Sequence, residues 1–169
     1  ELDVQPLHKK FQHFASFLNS LSGNKAEMKA EKKAEKKRLK QEKKAQSENK
    51  TEHKHQKRVF VLNFDGDLKA SAVDSLREEI TAVLQAATPE DEVVVRLESP
   101  GGVVHGYGLA ASQLHRFREH KIPLTVCVDK IAASGGYMMA VVADKILAAP
   151  FAIVGSIGVL AQIPNFNKI

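Results

Sequence analysis

AASGGYMMA, residues Ala132 to Ala140, sets one hydroxyl, Ser134, beside two glycines at the point where an apolar run gives way to the start of an apolar helix. A serine in that position is either a helix cap or a nucleophile. A second loop has the same form: Ser99-Pro100-Gly101-Gly102 follows VVVRLE, as Ala133-Ser134-Gly135-Gly136 follows LTVCVDKIA. Each ends in paired glycines before a helix. Glycine admits close approach of the backbone, and the unpaired N–H groups of a helix start stabilise negative charge. Two such loops could frame an oxyanion hole around a serine oxygen. Taken singly, either loop reads better as a turn or a small-residue helix entry; their joint occurrence at successive strand ends, with a hydroxyl beside one, favours a serine acyl-transfer site, although spacing alone does not bring them together.

The surrounding pattern explains why both loops fall at strand ends. VFVLNF, VVVRL and LTVCV are short runs rich in β-branched residues, the form of strands buried on both faces. Between the first two, Val73, Leu76, Ile80 and Val83 mark one face of a helix, with Ser71 as its N-cap and Thr88-Pro89 as its end. Between the second and third, Tyr107, Ala110, Leu114 and Phe117 recur at helical spacing. Alternating strands and helices predict an α/β domain from Val59 onward, with parallel pairing and right-handed crossovers. Ligands of such sheets sit beyond the carboxyl ends of the strands.

Upstream the character differs. Val4, Leu7, Phe11, Phe14, Leu18 and Leu21 form an apolar stripe that predicts an amphipathic helix over residues 1–24, stopped by Ser22-Gly23-Asn24. Residues 25–58 hold 14 Lys and Arg against 6 Glu and too few apolar residues to bury a face, so they read as a solvated helix or linker. All of the chain's net charge of +5 resides there, because residues 59–169 carry 9 basic and 12 acidic residues. The basic balance therefore belongs to a spacer that could also meet anionic lipid. No zinc-finger spacing, RNP-like aromatic motif or Trp accompanies it, which argues against a nucleic-acid partner. His53 and His55 lack visible partner ligands, so no metal or other cofactor is expected. The single cysteine, Cys127, reads as a small buried apolar residue. No apolar run is long enough to span a bilayer, and a first residue of Glu leads us to expect an upstream signal or anchor.

A nucleophilic serine needs a base. Every histidine precedes Ser134; His105, nearest a glycine loop, is the one to test, and Lys130, Lys145 and Lys168 are the local lysines. None carries a distinguishing signature.

The motifs RLESPGG, HGYGLAASQL, VDKIAASGGYMMA and APFAIVGSIGV, in that order across residues 59–169, resemble the signal peptide peptidase (SppA-type) serine proteases. The resemblance implies a ClpP/crotonase-like fold of repeated β-β-α units and a Ser–Lys dyad. It implies Ser134 as nucleophile, oxyanion and substrate contacts from Gly101, Gly102 and Gly135, and Ser156 of GSIGV as the residue that orients the lysine. In that family the lysine lies in a Gly-x-Tyr-Lys-type stretch a few dozen residues after the nucleophile. Residues 59–169 would then be the N-terminal part of the protease domain, expected to be inactive alone. The implied partners are extended apolar peptides such as signal-peptide remnants, the bacterial inner membrane through an anchor outside this chain, with the periplasmic side favoured, and further copies of itself. Two other functions would suit the same fold: a crotonase-type CoA-thioester hydratase or isomerase, with acidic catalytic residues, and a non-catalytic scaffold or adaptor.

Overall fold

A computed structural model describes residues 3–21, 37, 40 and 57–159. The chain divides into two compact units, Glu1–His55 and Gln56–Ile169. In the first, helix α1 (Leu7–Leu21) follows the predicted stripe, and Leu7, Phe11, Phe14, Leu18 and Leu21 are all exposed. The expected stop at Ser22-Gly23-Asn24 and nearly all of the lysine-rich segment lie outside the described residues.

The second unit alternates strand and helix as predicted: β1 (Val59–Asp65), α2 (Val73–Ala86), β2 (Glu92–Glu98), α3 (Val104–Glu119), β3 (Leu124–Val128), β4 (Ile131–Ala133), α4 (Gly135–Ala140), β5 (Lys145–Ala148) and β6 (Ile153–Gly155). β1, β2, β3 and β5 form one parallel sheet in sequence order. Because each strand is laid beside its predecessor in one direction, crossovers of a single hand place the helices on one face. The run LTVCVDKIA does not continue as one strand. It turns at Asp129-Lys130, and β4 leaves the main sheet to pair with β6 in a second one. Ser99, just past β2, bridges Ala132, so the second sheet takes a step from three successive turns of the chain. Strand, short strand, helix is thus the order from β3 through β4 to α4.

Burial along the strands alternates, which corrects the expectation of two buried faces. Leu62, Phe64, Val93, Val95, Leu97, Leu124, Val126 and Val128 lie inside, together with Leu76, Ile80 and Val83 of α2 and Tyr107, Ala110, Leu114 and Phe117 of α3. The opposite face presents Asn63, Arg96 and half-exposed Cys127, in one row of the register. β-branched runs therefore reported strand propensity rather than double burial. Cys127 is not the buried apolar residue expected. Ser71 is not an N-cap either: Ala72 holds that position with no side-chain bond, and the Ser71 hydroxyl donates to Asp67 Oδ2 at 2.8 Å.

The sheet's starting edge is tied by one buried carboxylate. Asp91 Oδ1 accepts from the Arg58 backbone N–H (2.8 Å) and Nε (3.2 Å), and Oδ2 from Arg58 Nη2 (2.8 Å) and the Thr88 N–H (2.8 Å). The Arg58 guanidinium bond, above all, holds the Asp91 carboxyl well below the usual carboxylate range. A depressed folded-state pKa contributes stability that is present above the unfolded value of about 3.9 and is lost as pH falls toward the folded one. Asp91→Asn is therefore expected to lower the urea midpoint at pH 7 and to flatten its fall between about pH 5 and 2. Leu114→Ala, deep under α3, should cost about 2–5 kcal/mol at any pH in the same titration.

Candidate active site

The end of β4 delivers Ser134 directly into the first turn of α4. Its backbone, φ 49° and ψ −115°, lies outside the regions that non-glycine residues ordinarily occupy. Such a conformation costs about 1–3 kcal/mol and persists only where its surroundings impose it. Here the Ser134 N–H donates to Gly155 O at 2.8 Å, and Ser134 O accepts from the Met138 N–H at 3.0 Å. The side chain makes no capping bond. Ser134 thus holds the N-cap position through its backbone carbonyl, and its hydroxyl is not used as the cap.

The two glycine loops meet. Gly101 adopts φ +89°, and a Cβ built on it would lie 2.7 Å from Ser134 Cβ, 2.8 Å from Ala133 O and 2.9 Å from Gly135 N. Only a residue without a side chain lets the loop press against both the serine and the helix start. Gly102 abuts the Leu68 carbonyl, and Gly135 faces the ring of Tyr107, closely enough that a side chain on either would collide.

The loop's N–H groups can be followed one by one. Ser99 donates to Ile131 O, Gly101 to Ser99 Oγ at 3.0 Å, and Val103 to Leu68 O at 2.9 Å, while Pro100 has none. Gly102 N–H is left without a partner among the described residues, as is Gly135 N–H at the first position of α4. Gly101, named with them on the sequence, contributes room and a turn while its own N–H is engaged inside the loop. The donors left unengaged by the two loops are those of Gly102 and Gly135.

Ser156, also φ 54°, follows Gly155, whose carbonyl receives the Ser134 N–H; its side chain is exposed. His105 is exposed on the first turn of α3 and has no bonded partner among the described residues. Lys130 Nζ sits 2.9 Å from both Glu98 carboxylate oxygens, which raise its pKa and hold it charged. Lys145 begins β5, at the opposite end of the sheet from the glycine loops. Lys168 lies outside the described residues. Burial, and then Asp129, push the Cys127 thiol up, away from thiolate chemistry. The Asp67 carboxylate is held low by bonds from Ser71. Among the described residues no cluster of His, Cys, Asp or Glu could hold a metal ion, and no helix is long and apolar enough to cross a membrane.

Ser99, Tyr107 and the Asp67 carbonyl were not singled out on the sequence as site residues. Tyr107 looked like one more core position of a helical stripe. Nothing in the pattern tells a buried aromatic ring from a buried phenol with two hydrogen-bond partners.

The family descriptions "Peptidase family S49 N-terminal" and "Peptidase family S49" match residues 1–114 and 116–169. A probable protease SohB of Buchnera aphidicola subsp. Schlechtendalia chinensis is 68% identical over 66% of this chain and 36% of its own length. The probable protease SohB of Haemophilus influenzae is 65% identical over 66% of this chain and 31% of its own. The chain thus spans about a third of the length of these curated relatives. Among solved structures, a ClpP1 N165D mutant from Listeria monocytogenes is similar over 50% of this chain and 46% of its own, at 15% identity and a TM-score of 0.37.

Gly101→Ala tests the packing of the loops. It is expected to destabilise the α/β unit by about 1–3 kcal/mol, from the positive φ and the contact with Ser134, as read from urea unfolding.

Proposed function

This chain belongs to peptidase family S49, and on that premise we propose that it supplies the nucleophile and oxyanion hole of a serine endopeptidase. The observation that carries the reading is the strained Ser134 at the head of α4, pressed against Gly101, with the Gly102 and Gly135 N–H groups unengaged beside it. Ser134 Oγ attacks the carbonyl carbon of a peptide bond and its proton passes to a base. The carbonyl oxygen becomes an oxyanion that the two N–H groups stabilise more strongly than they do the ground-state carbonyl. Collapse expels the amine, which takes up the proton, and leaves an acyl-enzyme that water hydrolyses.

The base in this reading is a lysine outside the described residues, which makes the pair a Ser–Lys dyad, with Ser156 orienting the ammonium. Support comes from the family resemblance, which implies a Ser–Lys dyad; of the local lysines, Lys130 is ion-paired and Lys145 lies at the far end of the sheet. An amine serves as base at neutral pH only if burial lowers its pKa from about 10.4, so the lysine belongs in a dry pocket. Substrates in this reading are extended, apolar peptides such as signal-peptide remnants, aligned as an added strand beside the glycine loops. The protein works at the bacterial inner membrane, anchored by a segment outside this chain with its peptidase domain on the periplasmic side, and assembles from several copies of itself.

The test is fluorophosphonate labelling of the full-length protein, its Ser134→Ala variant and the 169-residue chain, with the site located by mass spectrometry. Label is expected on Ser134 in the full-length wild type alone, and peptide hydrolysis should fall at least about 10³-fold in Ser134→Ala. Equal absence of label from all three folded proteins would remove the peptidase assignment.

A further inference from the structure

Behind the glycine loop runs a buried chain of hydroxyl groups with a fixed direction. Tyr107 Oη lies 2.7 Å from the Asp67 carbonyl oxygen, which can only accept, so the phenol proton is committed there. Ser99 Oγ lies 2.6 Å from the same Tyr107 Oη and must therefore donate to it. The remaining acceptor capacity of Ser99 Oγ receives the Gly101 N–H at 3.0 Å. The order is Gly101 N–H to Ser99 Oγ–H to Tyr107 Oη–H to Asp67 C=O, and every proton in it has one destination.

Both ends are anchored. Asp67 O also accepts the Ala70 N–H at 3.1 Å, and the Asp67 carboxylate takes the N–H groups of Lys69 and Ser71, so this carbonyl belongs to a rigid turn. The same turn receives the Val103 N–H at Leu68 O. Ser99 and Tyr107 have no exposed surface, and Tyr107 meets Phe64 edge-on, with ring centroids 6.3 Å apart at 72°. A buried hydroxyl left unpaired would be costly, so the chain holds as a unit or opens as a unit.

We propose that Ser99 and Tyr107 are positioning residues for the oxyanion hole. By capturing the Gly101 N–H they fix the Pro100–Gly101 peptide, and from that fixed plane the positive φ of Gly101 (+89°) turns the next peptide so that the Gly102 N–H faces the space above Ser134. The Tyr107 ring sets the second donor by the same packing, since it lies against Gly135. One side chain thus governs both halves of the hole, one through its hydroxyl and one through its face. The inference rests on the oxyanion role given to Gly102 and Gly135 under the peptidase reading, but the loop geometry it describes can be measured without activity.

The experiment compares full-length wild type with Ser99→Ala, Tyr107→Phe and Ser134→Ala. Three quantities are read: kcat and KM on a fluorogenic peptide, the affinity of a peptide aldehyde that forms a tetrahedral adduct on the serine, and amide hydrogen exchange over residues 99–103. Tyr107→Phe keeps the ring against Gly135 and Phe64 and removes only the hydroxyl. It is expected to lower kcat about tenfold, and Ser99→Ala about a hundredfold, with KM changed by less than about twofold and aldehyde affinity falling in step with kcat. Exchange at residues 101–102 should quicken in Tyr107→Phe, although the variant leaves the loop's own sequence intact.

Unchanged kcat and exchange in Tyr107→Phe would overturn the proposal, whatever became of Ser99→Ala. A loss confined to KM would also overturn it. If Ser134→Ala hydrolysed peptide as well as wild type, the peptidase reading would fail, and exchange in Tyr107→Phe would alone decide whether the hydroxyl chain positions the loop.

Discussion

The α/β unit turns on the backbone of Ser99, which donates to Ile131 O and accepts from the Ala133 N–H at 3.0 Å. These two bonds join the end of β2 to both ends of β4, and with them the main sheet to the second one. They bring two loops that lie 34 positions apart into van der Waals contact, because Ser99 opens the first loop and Ala133 opens the second. Neither loop has the geometry of a site without the other. The glycines allow the approach, but the short parallel ladder imposes it.

Strain at Ser134 follows from this constraint. A residue at φ 49° and ψ −115° is disfavoured by itself, and here it is held from before by β4, from after by α4 and from the side by Gly155 O. Imposed strain of this kind projects a hydroxyl outward while its N-terminal and C-terminal neighbours remain buried. Electrostatics around it are sparing. The charged groups of the open face are paired or solvent-facing, as in Lys130 with Glu98 and Arg96 with Asp129 at 3.6 Å. The donors left unengaged near it are main-chain N–H groups.

Much of this was legible in the sequence. β-branched runs separated by helical stripes predicted the strand–helix order, and the paired glycines at two successive strand ends singled out the loops that meet. The second sheet was not legible: Asp129-Lys130 is a two-residue turn inside an otherwise continuous apolar run, and DK carries weak turn chemistry. Burial on one face only was missed because β-branched residues suit an open face as well as a closed one. Ser71 illustrates a different failure. Its hydroxyl had two acceptable partners, the helix start and Asp67, and only the conformation of the Asp67–Ala70 turn chooses between them. Within the Ser99–Gly102 loop the sequence showed both glycines, whereas seeing that the Gly101 N–H is engaged needed the Ser99 hydroxyl in three dimensions.

The tie between Ser134 N–H and Gly155 O has a consequence for the chain during its synthesis. Each strand of the main sheet pairs with its predecessor, so the fold can grow from Val59 forward as residues emerge. The serine cannot lock when its own helix forms, because its partner carbonyl arrives 21 residues later with β6. Until that strand docks, Ser134 lacks the third of the contacts that hold its backbone. The strained turn is thus the last part of the unit to be fixed, by the order in which its pieces appear.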